Sequence, residues 1–263
     1  MNPRFTRRIG VTLTLLWALA LSACSTKPAS TQETAAVSDP RVQQREVLRT
    51  YVISMTQRDD LYESFSGLRR GEPMFEAAKT SIGNVYRDPV VMDWMLDQLG
   101  QDRNGFAQRF GNVMIEGFAR ADDNAAWKML RPVGNALGRL DAVQCSAYQA
   151  ETRGGAGGRG ASMTALVRRM QPDELNEFFD GFRLALRAGI QRQPMRPIAS
   201  SAQVAAALAS VSTPANFNAG MNECSAVKVA MSAVQGADGE TRSHLLSVML
   251  ASAGIGAQRE LKR

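Results

Sequence analysis

Histidine is nearly missing from this chain, which has one, His244, in 263 residues. Nucleophilic catalysis through serine or cysteine leans on an imidazole base, and His244 stands beside the apolar Leu245, Leu246 and Met249 as an ordinary helix residue would. A Ser-Lys pair remains open in principle, but Lys79, Lys128, Lys228 and Lys262 carry no motif around them. Cysteine is scarce as well, at three, and never in CxxC spacing. With a single histidine that leaves no zinc ligand set, so neither a metal nor another cofactor is expected. Glycine is plentiful, yet the run Arg153-Gly-Gly-Ala-Gly-Gly-Arg-Gly160 lacks the GK[ST] ending of a phosphate-binding loop and follows no strand. Runs that alternate with period two are absent, which argues against a sheet. After residue 23 no stretch is long and apolar enough to span a bilayer.

What is present begins at the N-terminus. Arg4, Arg7 and Arg8 precede an apolar run, Ile9 to Ala20, that is too short for a stable membrane span and has the form of a secretory signal. The next four residues, Leu21-Ser22-Ala23-Cys24, resemble the lipobox of bacterial lipoproteins. That resemblance implies cleavage before Cys24, a thioether from its sulfur to diacylglycerol, and a palmitate-type acyl group on its amine. Several acyl chains, at roughly 0.8 kcal/mol per buried methylene, hold a protein at a membrane essentially permanently. Ser25, where an inner-membrane lipoprotein of many Gram-negative bacteria carries Asp, implies the outer membrane and its periplasmic face. The expected mature chain is less basic than the whole: the net charge of +6 loses the three arginines of residues 1–23 and becomes 6 − 3 = +3. Lys and Arg are interspersed with Asp and Glu rather than clustered with aromatics, so no nucleic-acid partner is expected.

Once Cys24 is spent on lipid, Cys145 and Cys224 remain as an even pair in an oxidising compartment. They read as a disulfide closing a long loop; the alternative is two buried thiols, since Cys224 lies on an apolar helical stripe.

Residues 24–40 are small, polar and proline-containing and read as a flexible tether. From 41 to 256 the spacing is helical almost throughout and predicts a single all-α domain of about nine or ten helices, followed by a frayed tail over 257–263. Asp88-Pro89 is a cap and first-turn pair, Asp122, Asp123 or Asn124 caps a segment that Pro132 should kink or restart, and Asp102 or Asn104 opens the helix carrying Phe106, Phe110 and Phe118. Ser162 to Met170 reads as a short helix, and Pro172-Asp173-Glu174 opens one striped by Leu175, Phe178, Phe179, Phe182 and Leu186. Gln191 to Pro197, with two prolines, reads as a connector. Ser200 caps an alanine-rich helix ending near Val211, and Thr213-Pro214 opens another whose inner face carries Phe217, Met221, Cys224 and Met231.

One short motif points to chemistry. Glu63-Ser64 resembles the catalytic Glu-Ser of lytic transglycosylases, helical periplasmic enzymes that are often lipoproteins, and would make Glu63 the acid of a peptidoglycan-active site. The likeness covers two residues, and the Gly-Leu-Met-Gln type segment of that family has no counterpart here. The remaining reading is a binding protein: lipid-held at the membrane, facing the periplasm, engaging a protein partner, either as an immunity or inhibitor lipoprotein against a cell-wall-degrading toxin or as an accessory subunit of an envelope assembly. Arg69 and Arg70 before Gly71, and Arg153 and Arg159 in the glycine-rich loop, are the candidate contact residues. The alternatives are the Glu63 enzyme and a scaffold or small-ligand carrier.

Overall fold

The computed structural model describes residues 40–66, 68–101, 105–153, 166–211 and 223–261. Among them lie eleven helices and no strand: α1 Pro40–Met55, α2 Asp59–Ser66, α3 Pro73–Arg87, α4 Pro89–Gln101, α5 Phe106–Arg120, α6 Asp123–Gly138, α7 Ala142–Arg153, α8 Pro172–Ile190, α9 Ser201–Val211, α10 Glu223–Gly236 and α11 Gly239–Leu261. No helix of the described residues is long and apolar enough to cross a membrane. The fold is a single all-α domain.

Its axis is α8, which packs against α3, α4, α5 and α6. Two kinds of residue let one helix serve four neighbours. Leu175, Phe178, Phe179, Phe182 and Leu186 are buried and fill the space between helices, while Gly181, Ala185 and Gly189 are buried where a neighbour's backbone comes close. A Cβ at Gly181 would stand 2.8 Å from the Ala125 carbonyl oxygen of α6, and one at Gly189 would stand 2.5 Å from the Val113 carbonyl oxygen of α5. Phe118 of α5 meets Phe182 with ring centroids 6.2 Å apart, in the tilted range that aromatic pairs favour.

The helix starts are those the side chains ask for. Asp88 Oδ1 accepts from the Val90 and Val91 amides at 3.0 and 3.3 Å at the head of α4, and Asp122 Oδ1 accepts from Ala125 at 2.7 Å at the head of α6. Ser200 and Gln203 cap α9 reciprocally, a capping box with Gln in its usual third place.

Several expectations need correction. Pro132 neither restarts nor ends its helix: α6 runs through it from Asp123 to Gly138, with Pro132 buried. The proline forfeits one backbone bond, and the packing of α6 between α8 and α10 holds the segment helical regardless. The last helix continues to Leu261, past the point where fraying is expected; Ala, Gln, Glu and Leu after Gly256 are good helix formers. The N-cap position of α5 is Gly105; Asp102 and Asn104 lie outside the described residues. Leu166 and Val167 are helical and a turn follows them to Met170; the start of that expected helix, at Ser162, is outside the described residues, as are Thr213, Pro214, Phe217 and Met221.

Candidate functional site

The residues singled out from sequence fall in separate places. Cys24 and Arg159 lie outside the described residues, and Arg153 is the last residue of α7. Arg69 and Arg70 are exposed in the turn before α3, and Arg70 pairs with Asp59 at 2.7 Å, which in turn holds Lys79 at 2.6 Å. Glu63 is exposed on the two-turn helix α2, whereas its neighbour Tyr62 is fully buried and donates its hydroxyl to the Thr56 carbonyl at 2.9 Å. Tyr62 therefore explains why this helix docks, and Glu63 rides on its outer side. Cys145 and Cys224 are joined, with S–S 2.01 Å and Cα–Cα 6.0 Å.

A row of partly buried charges runs along α8. Glu174, Glu177 and Asp180 recur every three residues and meet Arg139, at the C-cap of α6, and Arg131 and Lys128 within it at 2.6, 2.6 and 2.5 Å. Arg183 continues the row, bonding Asp180 at 2.6 Å and Asp88 at 2.8 Å, and Arg187 reaches the same Asp88 oxygen at 3.2 Å. Asp88 is the deepest member, its side chain 2 % exposed. Burial alone would raise its pKa, but the Arg183 hydrogen bond, the Val91 amide and the charges of Arg187 and Arg183 hold it below the usual carboxylate range. Asp180 and Glu174 are held down in the same way, against their own burial, by Lys128 with Arg183 and by Arg139 with the Gln171 amide. Carboxylates arranged like this stay ionised and pin helices together; a general acid needs the opposite shift.

A stability measurement checks this assignment. Asp88→Ala removes a helix cap and leaves Arg187 without its carboxylate, an expected loss of about 3 kcal/mol after discounting for the partly exposed guanidinium groups. Asp88→Asn keeps an acceptor for Val90 and Val91 and loses only the charge. Because the folded pKa lies below the unfolded value of about 3.9, the stabilisation is complete above that pH and disappears as pH falls through the folded value. The melting temperature should drop steeply below about pH 4, and less steeply in Asp88→Asn. Equal slopes would show that the Asp88 charge adds nothing.

The exposed apolar side chains lie in other parts of the molecule. Five large hydrophobic side chains are strongly exposed among the described residues: Val42, Val47, Val143, Met195 and Ile198. Two of them sit three apart on one short segment, the strap Gln193-Pro-Met-Arg-Pro-Ile-Ala-Ser200, with Met195 66 % and Ile198 69 % exposed. Arg196 between them turns inward: its side chain is 11 % exposed, pairs with Asp123, and donates to the Ser243 Oγ at 3.2 Å and the Ala121 carbonyl at 3.4 Å. Its backbone amide donates to the Ala119 carbonyl at 2.8 Å. Ala199 N donates to Ser247 Oγ at 3.0 Å, and Arg120 donates to the Gln193 carbonyl. Directly after the strap, α9 buries Val204 and Ala207 against the body and turns Ala202, Ala205, Ala206 and Ala209 to the outside. Sequence reasoning missed this surface by reading the strap as a connector; two prolines three apart were the available signal.

Among the described residues no group of three or more His, Cys, Asp and Glu is placed to hold a metal ion. Comparison with protein families, with curated proteins and with solved structures found no match to this chain.

Proposed function

We propose that this chain is a lipid-anchored protein of the outer membrane, facing the periplasm, whose helical domain binds a protein partner without chemistry of its own. The address rests on Leu21-Ser22-Ala23-Cys24 and the signal before it, and the Cys145–Cys224 bond suits an oxidising compartment. The binding reading rests on one observation: Met195 and Ile198 are held out in solvent by a segment whose intervening arginine is locked into the body. Large apolar side chains on a mobile loop would cost little to leave exposed; on a segment tied down by this many bonds they form a prepared contact. An immunity or inhibitor lipoprotein and an assembly accessory both need such a surface.

Both halves are testable. Cys24→Ser should abolish acylation, seen as a mass lower by the diacylglycerol and acyl groups, and should move the chain from the membrane pellet to the soluble envelope fraction. A chain that stays with membranes at unchanged mass defeats the address. The domain lacking residues 1–24 should leave peptidoglycan intact; release of muropeptides that stops in Glu63→Gln would replace binding by the lytic-transglycosylase-like reading.

A further inference from the structure

The strap has a period of three. The backbone amides of Gln193, Arg196 and Ala199 each donate to the body, to the Ala188 carbonyl at 3.0 Å, the Ala119 carbonyl at 2.8 Å and the Ser247 Oγ at 3.0 Å. The residues between them face solvent in two rows, Pro194 with Pro197 and Met195 with Ile198. A chain with three residues per turn is a polyproline-II helix. The sequence enforces it: Pro194 and Pro197 have φ fixed near the polyproline value, and Gln193 and Arg196, each preceding a proline, are pushed into the same extended region. Among the described residues, no donor reaches the carbonyls of Pro194, Met195 and Pro197. At the start of the strap Arg192 is exposed, with positive φ of 50°, and its side chain has no ion pair among them.

We infer that the strap is a preformed polyproline-II ligand, displayed for a partner domain whose shallow groove is lined by Trp and Tyr and carries a carboxylate at one end. The inference rests on the protein-binding reading and names its surface. Aromatic ridges accept the Pro194/Pro197 and Met195/Ile198 rows, indole and phenol groups donate to the three free carbonyls, and the carboxylate meets Arg192. Isolated proline segments lose conformational freedom on docking; here the body has already taken that loss. The occupant is a different protein rather than a second copy: among the described residues the aromatic side chains that reach the surface, Tyr51, Trp94, Trp127 and Tyr148, are half-buried on four different helices, Trp94 packed against Phe106 and Phe110, and Trp127 and Tyr148 covered by Arg242 and Arg169. Acyl chains are also a poor fit, since they offer nothing to the carbonyls.

In the full-length chain, expressed in an envelope-bearing bacterial cell of its own kind, p-benzoylphenylalanine is placed at position 195, 198, 202, 70 or 143 and irradiated, and the cross-linked peptides are sequenced. Positions 195 and 198 should mark one and the same protein, through peptides that contain Trp or Tyr, with Val143 as background. Pro194→Ala with Pro197→Ala, which leaves the buried Arg196 in place, should lower that yield about threefold or more by freeing the strap, while the melting temperature of the purified variant stays close to that of the parent. Cross-links from 195 and 198 that reach only this chain, only lipid, or nothing above the Val143 background overturn the inference. If 70 or 202 marks a protein and 195 and 198 do not, the strap is wrong and partner binding stands; if no position marks a protein, both fall. An unchanged yield in the double proline variant also overturns it.

Discussion

Gly117→Val should leave the domain without a cooperative thermal transition, and Gly117→Ala should lower its stability by roughly 3 kcal/mol, at or somewhat above the usual ceiling for overpacking. The reason is where α5 crosses α8. A Cβ on Gly117 would stand 2.4 Å from the Ala185 carbonyl oxygen and 2.9 Å from its carbon, and a Cβ on Gly189 would stand 2.9 Å from the Gly117 nitrogen. These neighbours are backbone, so no rotamer change relieves the clash; the helices must separate, and Phe118 and Phe182 next to the crossing lose contact with them. A matched control isolates the effect. Gly100 is the second-last residue of α4 with nothing within 4 Å of its would-be Cβ, so Gly100→Ala should gain a part of the roughly 1 kcal/mol that separates the two residues in a helix interior. One substitution type then carries opposite signs at two helical sites. In thermal melts followed by circular dichroism, Gly117→Ala should fall by about 6 to 12 °C and Gly100→Ala should rise slightly. A Gly117→Ala melt at or above that of the parent would mean that the α5–α8 crossing is wider than described.

Why that crossing escapes the sequence says what a sequence can carry. Apolar residues at three- and four-residue spacing, and a capping residue ahead of them, are one-helix properties; hence Asp88-Pro89, Asp122, Ser200 and the Phe178–Leu186 stripe are legible before any coordinates. Gly181 and Gly189 mean nothing until the neighbour is known, because a glycine on a helix is the same letter whether it faces solvent, as Gly100 does, or a carbonyl oxygen that a Cβ would meet at 2.5 Å, as Gly189 does. The restart expected at Pro132 fails for a related reason. Its local cost is readable, and the burial that overrides it is not. At the candidate surface, Pro194 and Pro197 could be seen at once, but the rows they define depend on Arg196 reaching Asp123 and Ser243, partners far along the chain. Glu63 illustrates the reverse error of weight. A two-residue likeness draws the eye to it, while the residue that holds its helix in place is Tyr62.

Breaking the Cys145–Cys224 bond should cost more than Gly117→Ala and less than Gly117→Val, and it should show in two places at once. The bond spans 79 residues of sequence, for which loop-closure entropy in the unfolded chain amounts to about 4 kcal/mol. For a domain of this size that is a fall of roughly 8 to 16 °C in melting temperature for Cys145→Ser with Cys224→Ser. The local consequence is more specific. Of the described side chains of α7, from Ala142 to Ala150, only Cys145 is buried; Tyr148 is half-buried under the Arg169 guanidinium, and Val143 is 79 % exposed. A helix of 12 residues with a single buried anchor has little to hold it once that anchor is cut, since isolated helices of this length are marginal in water. Amide hydrogen exchange over 142–153 should therefore accelerate in the double serine variant well beyond the change in α8, whose protection tracks global unfolding. Reduction of the parent chain should reproduce both effects. If the melting temperature falls while α7 keeps its protection, other contacts hold that helix; if neither changes, the two sulfurs are not bonded in solution.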